Sequence, residues 1–250
     1  MTEPLFLLDD LTDPLPAVGA HLTLGGDEGR HAAVVRRIRA GEMIMIGNGR
    51  GIGVRGVVIG VRGPALVVEV INHLSSLAEA RRFVAAQALA KGDRSELAVE
   101  MLTEMGVDEI VPWQAARSVV RWSAERTARS LAKWRATARE ATKQSRRLTV
   151  PQVSEPVTTR QLAQGAASVD LALVLHEDAK ECIAEVDLPS DGTVLIIIGP
   201  EGGVSAEELE ELSQAGARPV SISDAVLRTS TAGVVALAGL KLRREPSIAL

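Results

Sequence analysis

A glycine-rich loop directly after a strongly apolar run has the residue types best suited to bind a ligand. Residues 194–198 (VLIII) are followed by GPEGG at 199–203 and by SAEE at 205–208, a capping box that begins a helix. Ligands of open α/β sheets bind where a strand passes into such a loop, and glycines let a backbone approach a ligand closely. The Glu201 carboxylate could bind a ribose or a cation, although a tight turn with an exposed glutamate explains the same residues.

The segment at 222–233 (ISDAVLRTSTAG) is the second candidate for chemistry. A short strand and a polar turn lead to Arg228, which lies beside the expected start of the last helix. The positive end of a helix dipole offers a cation no stabilisation, and this favours a functional reason for Arg228. An ordinary surface arginine is the alternative.

A further glycine-rich stretch, GNGRGIG at 47–53, resembles the cofactor loop of Rossmann-type enzymes. That loop requires a helix after its glycines. Here the chain continues as VRGVVIGV at 54–61, which is typical of a strand. The pattern therefore predicts a β-hairpin.

Basic residues are concentrated in one part of a chain that is acidic overall. The formal net charge is −4, yet residues 117–147 contain ten Lys or Arg against Glu125 and Glu140. Such a cluster is typical of a surface that contacts nucleic-acid phosphates, although charged helix faces are often merely solvated. Aromatic residues make up only 2% of the chain, which argues against a surface that stacks bases.

Composition is that of a folded globular protein, since 46% of the 250 residues are hydrophobic and 24% are charged. The single Cys182 excludes an internal disulfide and a cysteine-cluster metal site. No apolar run approaches the roughly 20 residues of a spanning helix, and the first residues do not resemble a signal peptide. We therefore expect a cytoplasmic protein with no membrane segment and no metal.

Short strands separated by turn residues occupy the first part of the chain and predict a small β-barrel. They are expected at 5–8, 21–24, 43–46, 54–61 and 65–71. One helix over 29–39 interrupts them and places Ala32, Val35 and Arg39 on one face. The polar stretch at 72–80 indicates a boundary, which divides the chain into domains at 1–72 and 73–250.

Strands alternate with helices from residue 81 onward, which predicts an α/β domain. Strands are expected at 83–89, 109–113, 171–175, 194–198 and 220–222, and helices at 94–105, 123–145 and 231–241. The continuous apolar runs LALVL and VLIII are typical of strands covered on both faces of a parallel sheet.

In combination these segments resemble the RsmE family of 16S ribosomal RNA uridine N3-methyltransferases, in the SPOUT (knotted) superfamily. The resemblance covers nearly the whole chain, and its specificity comes from the order and joint presence of several short motifs. They are His31 with Val35, Arg37 and Gly41-Glu42; 89–94 (LAKGDR); 103–107 (TEMGV); Lys133-Trp134 with Glu140-Ala141 and 143–146 (KQSR); 199–203; and 227–229 (LRT) with Thr231-Ala232.

The resemblance implies a fold, a cofactor and partners. The fold is α/β, with an N-terminal PUA-like β-barrel at 1–72 and a C-terminal SPOUT domain at 73–250 whose chain end forms a trefoil knot. The implied cofactor is S-adenosyl-L-methionine, and the implied partners are a second copy of the chain and 16S ribosomal RNA or the 30S subunit. The implied cofactor residues are Leu175, His176, Gly199, Pro200, Glu201, Gly202, Gly203, Ile222, Val226, Leu227 and Thr231. His176 could equally be a structural histidine.

Five positions depart from the family pattern. Leu5 stands where an Arg precedes the first Phe, and Met101 replaces a Lys. Ser223, Ala225 and Ser230 replace a Gly, an Arg and a Glu near the last loop. Family roles are not transferred to these positions.

The implied reaction transfers a methyl group to N3 of a uridine. An arginine near O2 or O4 would stabilise the anion that forms as N3 loses its proton. Arg228 is the first candidate for this catalytic role and Arg37 the second. The basic residues implied to contact RNA phosphates are His31, Arg36, Arg37, Arg39, Lys133, Arg139, Lys143 and Arg147. Two alternatives are a knotted methyltransferase that acts on transfer RNA and an RNA-binding module without catalytic activity.

Overall fold

The computed structural model describes residues 3–76 and 79–243. These form two compact units, one from residues 3–76 with Glu140–Val150 and one from Glu79–Arg139 with residues 151–243. The sequence placed a domain boundary after residue 72, but strand β5 (Ala65–Ser75) continues beyond that point. The expected division also omits Glu140–Val150, which includes the end of helix α3 (Ala124–Ser145).

The first unit is built on a five-stranded mixed sheet. Its strands are β1 (Leu5–Leu7), β2 (His21–Leu24), β3 (Met43–Gly47), β4 (Ile52–Arg62) and β5, in the order β1-β3-β4-β5-β2. Strand β1 is parallel to β3, and the other neighbours are antiparallel. Phe6, Leu24, Ile44 and Leu66 belong to its buried core. Alternation of apolar and polar residues thus placed these strands close to their observed bounds.

The glycine-rich stretch at 47–53 is a hairpin, as predicted. Gly47 pairs with Gly53 across β3 and β4, and the Asn48 amide donates to the Ile52 carbonyl oxygen at 2.9 Å. The Asn48 side-chain oxygen accepts from the Arg50 amide at 2.7 Å and completes the turn. No helix follows the glycines, so this stretch lacks the geometry of a cofactor loop.

The helix expected over 29–39 was wrong in its bounds and in its buried face. Helix α1 covers Gly26–Arg30 and continues into a π-helical turn at His31–Val35. Ala32 is buried, whereas Val35 is 66% exposed and Arg39 is exposed. The helix starts earlier and widens at this turn, in which the Arg36 amide bonds to the His31 carbonyl at 2.9 Å, and Val35 therefore lies away from the core.

The second unit contains a six-stranded sheet in which all neighbouring strands are parallel, as the apolar runs predicted. Strand β9 is buried along its entire length. The strands are β6 (Arg81–Ala88), β7 (Glu109–Trp113), β8 (Gln152–Val153), β9 (Leu171–Leu175), β10 (Gly192–Ile198) and β11 (Arg218–Val220), in the order β11-β9-β10-β6-β7-β8. The strand expected at 220–222 therefore lies two residues earlier.

Four more helices accompany this sheet: α2 (Arg94–Glu104), α4 (Thr159–Ala166), α5 (Ala206–Gln214) and α6 (Thr229–Lys241). Helix α4 was missed, although Thr158 and Gln161 form a capping box that marks its start. Helix α6 packs closely, since a Cβ at Gly233 would lie 3.2 Å from an Ile198 side-chain atom. None of the helices in the described ranges is long and apolar enough to cross a membrane.

A buried glutamate, Glu208, connects three segments of the second unit. Its Oε1 accepts from the Ala116 amide and from the Thr159 hydroxyl, both at 2.8 Å, and its Oε2 accepts from the Ser205 amide at 3.2 Å. Thr159 in turn accepts from the Trp113 indole at 3.2 Å. Glu208 is only 5% exposed and Ser205 is also buried, so water cannot readily replace the carboxylate at the Ser205 amide.

We predict that Glu208→Ala lowers the free energy of unfolding by about 2–4 kcal/mol, because it removes a charged acceptor shared by three segments and leaves the buried Ser205 amide unpaired. Urea unfolding followed by circular dichroism measures the change. Glu211→Ala, an exposed glutamate of the same helix, is the control and should shift the value by less than about 0.5 kcal/mol. Equal effects of the two substitutions would contradict the connecting role of Glu208.

Candidate functional site

The carboxyl ends of β9, β10 and β11 lie at the same edge of the second sheet and surround a cavity of about 420 Å³. Parallel strands bring their following loops together in this way, and such an edge is the usual ligand site of an open α/β sheet. The cavity is lined by Arg94, Leu175, His176, Glu177, Ile198, Gly199, Pro200, Glu201, Gly202, Gly203, Val204, Ile222, Ser223, Ala225, Val226, Leu227, Arg228, Thr229 and Ala232.

The glycine-rich loop at 199–203 forms one wall. Gly203 has a φ of +73°, a conformation that side-chain-bearing residues rarely adopt, and its amide donates to the Pro200 carbonyl at 2.9 Å. A Cβ placed on Gly203 would have no atom within 4 Å. The turn therefore requires glycine for its backbone conformation, and open space lies beside it.

Glu201 in this loop binds the segment that precedes helix α2. Its Oε1 accepts from the Lys91 amide at 3.1 Å and lies 3.5 Å from Nη1 of Arg94. Arg94 also lines the cavity, so its charge there is partly balanced by Glu201. This contact joins residues that are more than 100 positions apart in the sequence.

His176 follows β9 and is held in a defined orientation. Its amide donates to the Val220 carbonyl at 3.0 Å, and its Nδ1 accepts from the Asp178 amide at 3.2 Å. Because Nδ1 accepts, the neutral ring carries its proton on Nε2. The histidine lines the cavity, and these bonds are compatible with either a cofactor-binding or a structural residue.

Thr229, the first residue of α6, connects this helix to the glycine-rich loop. Its hydroxyl donates to the Gly199 carbonyl and accepts from Nε2 of Gln87. The same amide group of Gln87 donates to the Thr229 carbonyl at 3.3 Å. Gln87 lies at the end of β6 and is fully buried, so this cluster fixes the start of α6 beside β6 and β10.

Arg228 precedes this cluster and is exposed at the edge of the cavity. Among the described residues, its guanidinium has no hydrogen-bond or ion-pair partner. It therefore differs from Arg94, which faces Glu201. An unpaired cation beside a concave site can stabilise negative charge on a bound group.

The cavity brings together all the residues expected to bind the cofactor except Thr231. The Thr231 hydroxyl instead donates to the Arg228 carbonyl at 3.1 Å. The sequence analysis did not assign Arg94 or Thr229 to the cavity. The signals that could have found them were the LAKGDR motif, which ends at Arg94, and the LRT motif, which ends at Thr229. The sequence analysis also missed the lining residues Glu177, Ile198, Val204, Ser223, Ala225 and Ala232.

Arg37 and the other basic residues expected to bind RNA have different environments. In the first unit, Arg36, Arg37 and Arg39 are exposed. His31 of the same unit is half-buried, and its ring packs edge-on against the ring of Phe6. None of these four residues lines the cavity described above. Arg37 has a φ of +55°. Arg139, in the second unit, and Arg147, in the first, are half-buried and have interactions of their own.

Lys133 and Lys143, two lysines of α3 that were expected to contact RNA phosphates, form ion pairs within the protein. Lys133 lies 2.8 Å from Glu96, whose hydrogen bond raises the pKa of the lysine. Lys143 is buried, with its Nζ 2.8 Å from Glu28 and 2.7 Å from Glu140. Burial lowers the pKa of Lys143, but hydrogen bonds with the two carboxylates outweigh this effect, so that its pKa lies above the ordinary value.

No group of three His, Cys, Asp or Glu residues within 3–76 and 79–243 is arranged to hold a metal ion.

Comparison with known proteins identifies the class. A family model described as an RNA methyltransferase domain matches residues 78–241, which is more than half of the chain. The chain is 42% identical over 229 residues to ribosomal RNA small subunit methyltransferase E of Mycobacterium bovis, covering 90% of this chain and 87% of that protein. The protein of the same name from Bacillus subtilis is 29% identical over 233 residues, covering 89% and 90%.

Solved structures agree with these sequence matches. Ribosomal RNA small subunit methyltransferase E from Neisseria gonorrhoeae, bound to S-adenosyl methionine, has a TM-score of 0.84 at 25% identity and covers 96% of this chain and 97% of its own. A Legionella pneumophila protein solved with the bound cofactor SAM has a TM-score of 0.83 at 29% identity, covering 96% and 98%. The chain belongs to the ribosomal RNA small subunit methyltransferase E family, which confirms the resemblance found in its motifs.

We predict that Thr229→Val lowers the free energy of unfolding by about 1–3 kcal/mol, because the Gly199 carbonyl and the Gln87 amide each lose a buried partner. Thr231→Val is the matched control, since it changes the same residue type two positions later in the same helix. Within the described ranges, its hydroxyl has a single hydrogen bond, to the Arg228 carbonyl, and we expect a loss below about 0.5 kcal/mol. Denaturant unfolding of both variants measures the difference, and equal losses would contradict the connecting role of Thr229.

Proposed function

We propose that this protein transfers the methyl group of S-adenosyl-L-methionine to N3 of a uridine in 16S ribosomal RNA of the small ribosomal subunit. The observation that carries the proposal is the cavity at the ends of β9, β10 and β11, in a chain that belongs to a family of ribosomal RNA methyltransferases. The methyl-transfer class is further supported by a family member that was solved with S-adenosyl methionine bound.

The residues at the cavity fit this cofactor. Its volume of about 420 Å³ is within the usual range for a small-molecule site, about 300–1,000 Å³. Leu175, Ile198, Val226 and Leu227 offer apolar surface for an aromatic base, and the backbone of the glycine-rich loop offers polar groups at close range. The open space beside Gly203 is where a side chain would obstruct a ligand.

S-adenosylmethionine supplies an activated methyl group when bound, so the protein must align the acceptor and assist removal of the N3 proton. Arg228 suits the second task because its guanidinium is unpaired and lies at the cavity. A positive charge near O2 or O4 of uracil stabilises the anion more than the neutral base. We retain Arg228 as the proposed catalytic residue and Arg37 as the second candidate.

The proposal includes a PUA-like barrel for the first unit and a trefoil knot in the second. The mixed sheet β1-β3-β4-β5-β2 supports the barrel. The knot is supported by the path of the chain, which passes from β10 through α5 to β11 on the far side of β9. It then returns so that Thr229 contacts Gly199 after β10 and Gln87 at the end of β6.

We also place the protein in the cytoplasm, where ribosomal RNA is found, and propose that it acts as a homodimer. The support for the dimer is that Val235 on α6 is 42% exposed and Leu242 just after α6 is 77% exposed. The two residues are seven positions apart, which is about two helical turns, and a large apolar patch on one face of a helix is commonly covered by a partner.

The proposed activity is tested by incubating the protein and labelled S-adenosylmethionine with 30S subunits from a strain that lacks the enzyme. We expect label in 16S RNA, recovered as N3-methyluridine after digestion to nucleosides. Label only in transfer RNA would instead indicate a knotted methyltransferase with another substrate. Binding of RNA without any cofactor binding would indicate a module that has no catalytic activity.

We predict that Gly203→Val weakens S-adenosylmethionine binding more than about tenfold, because a β-branched residue strains this backbone conformation and extends into the ligand space. Isothermal titration calorimetry measures the affinity. Gly216→Val is the matched control, since Gly216 has a φ of +95°, equally open surroundings and a position outside the cavity. The Gly216→Val variant should lose a similar amount of stability but bind the cofactor with wild-type affinity. If a folded Gly203→Val variant also binds the cofactor with unchanged affinity, the glycine-rich loop is not part of the site.

We predict that Arg228→Ala lowers the single-turnover rate by about 100-fold, while cofactor and RNA affinities stay within a few-fold. A higher pH should restore part of the rate, because more N3 is then ionised without assistance. Arg228→Lys should keep more activity than Arg228→Ala, and Arg160→Ala, an exposed arginine on α4, should have no effect. A loss confined to RNA affinity would show that Arg228 binds substrate and does not promote the chemical step.

A further inference from the structure

The chain between β7 and α3, residues 114–123, contacts the glycine-rich loop, and we call it the β7–α3 connection. Nη1 of its Arg117 donates to the Gly202 carbonyl at 3.2 Å. A Cβ placed on Gly202 would lie 3.1 Å from the Cβ of Arg117 and 3.4 Å from the Arg117 carbonyl oxygen, so the two segments pack closely. Arg117 is exposed and does not line the cavity. It therefore contacts a loop of the candidate site without contacting the space that a ligand would fill.

The β7–α3 connection is itself anchored within the second unit. The Gln114 amide donates to the Val157 carbonyl at 2.9 Å. The Ala116 amide donates at 2.8 Å to Glu208, which is buried in the first turn of α5. Helix α5 begins shortly after the glycine-rich loop, so the connection and the loop are attached to the same helix. Arg117 is thereby presented to the loop from a fixed backbone.

The hydrogen bond from Arg117 acts on the peptide unit that forms the turn of the loop. The Gly202 carbonyl and the Gly203 amide belong to this one peptide unit. The Gly203 amide donates to the Pro200 carbonyl at 2.9 Å and closes the turn in which Gly203 has a φ of +73°. Because hydrogen bonds in a chain polarise one another, a cation at the carbonyl strengthens the bond that the amide makes. Arg117 therefore stabilises the turn that leaves open space beside Gly203.

The guanidinium of Arg117 is free to make this bond because it is not engaged with a carboxylate. Among the described residues it has one hydrogen bond, to the Gly202 carbonyl, and no ion pair. The pKa of Glu207 in α5 is lowered mainly by hydrogen bonds from its own amide and from Ser205, and the field of Arg117 adds a smaller effect. A hydrogen bond with a charged donor is stronger than one between neutral groups.

Glu201 provides a second contact to the same loop. Its Oε1 accepts from the Lys91 amide in the segment after β6, whereas Arg117 belongs to the segment after β7. Both bonds lie at exposed positions, where one interaction adds little to the stability of the whole fold. A loop bound at two points has fewer accessible conformations, and a preformed loop binds a ligand at a smaller entropic cost. The expected effect of Arg117 is therefore on ligand affinity and not on folding.

We propose that Arg117 is a positioning residue for the cofactor. Its guanidinium holds the Gly202 carbonyl and so keeps the glycine-rich loop in the turn that leaves room for S-adenosylmethionine beside Gly203. Arg117 does not line the cavity and acts only through Gly202. The assignment rests on the proposed function in one respect, namely that the loop at 199–203 binds this cofactor.

The test measures S-adenosylmethionine binding by isothermal titration calorimetry for Arg117→Ala and Arg117→Lys in the full chain. Arg117→Ala should bind about three- to tenfold more weakly, which is the effect of losing one hydrogen bond of ordinary net strength. Arg117→Lys should bind more tightly than Arg117→Ala, since an ammonium can donate to the same carbonyl. The melting temperatures of the cofactor-free variants should change by less than about 2 °C, as for an exposed substitution.

Steady-state kinetics with 30S subunits separates positioning from chemistry. The KM of Arg117→Ala for S-adenosylmethionine should rise by the same factor as its dissociation constant, while kcat at saturating cofactor stays within about twofold of the wild type. A lowered kcat with an unchanged KM would place Arg117 in the chemical step and overturn the proposal.

Arg126→Ala is the matched control, because it removes the same charge at an exposed arginine of α3 that has no hydrogen bond or ion pair to the glycine-rich loop within the described ranges. Its cofactor affinity should equal that of the wild type. Unchanged affinity in Arg117→Ala, or equal losses in Arg117→Ala and Arg117→Lys, overturns the proposal. A loss confined to the affinity for a 16S RNA fragment, measured by fluorescence anisotropy without cofactor, would show that Arg117 contacts RNA and overturns it as well.

The calorimetric measurement requires neither RNA nor methyl transfer, so the two proposals fail separately. A protein that binds S-adenosylmethionine with the expected dependence on Arg117 but leaves 16S RNA unmethylated would refute the proposed function and retain the role of Arg117. Methylation of 16S RNA together with an unchanged cofactor affinity in Arg117→Ala would refute only that role.

Discussion

The cavity depends on the hydrogen bond from the Thr229 hydroxyl to the Gly199 carbonyl. This bond joins the first residue of α6 to the loop after β10, and the buried Gln87 amide holds the same threonine from the end of β6. Without this hydroxyl the partly buried Gly199 carbonyl would lose its acceptor interaction at a cost in free energy, while the Gln87 amide would keep its bonds to the Ala88 and Thr229 carbonyls. The segment that carries Arg228 is therefore fixed beside the glycine-rich loop, where its charge can act on a bound group.

Charge pairing separates the arginines and lysines that stabilise the fold from those available to a ligand. Lys143 and Lys133 are satisfied by glutamates, and Arg94 faces Glu201. Arg228 at the cavity has no such partner in the described part of the chain. An ion pair largely neutralises the charge of a basic residue. A guanidinium without such a partner is therefore better able to bind RNA or to stabilise a developing anion.

Local patterns in the sequence were enough to place much of the fold and most of the site. The apolar runs gave β9 at its observed bounds and the greater part of β10, because strands buried on both faces need continuous apolar side chains. The strand-like sequence that follows residues 47–53 predicted the hairpin between β3 and β4. The loop at 199–203 follows β10 directly, so its position at the sheet edge is a consequence of chain order, and the motifs around it indicated the family.

Tertiary structure alone decided which distant side chains meet. Glu28 and Lys143 are 115 residues apart in the sequence, so the charge pattern could not show that this lysine is buried in an ion pair. Val35 is exposed because the helix begins earlier and widens into a π-helical turn, which a regular helical period does not encode. Arg94 and Thr229 reach the cavity only through the strand order. Sequence periodicity records which face of an element is buried, whereas contacts between elements depend on the topology that packs them together.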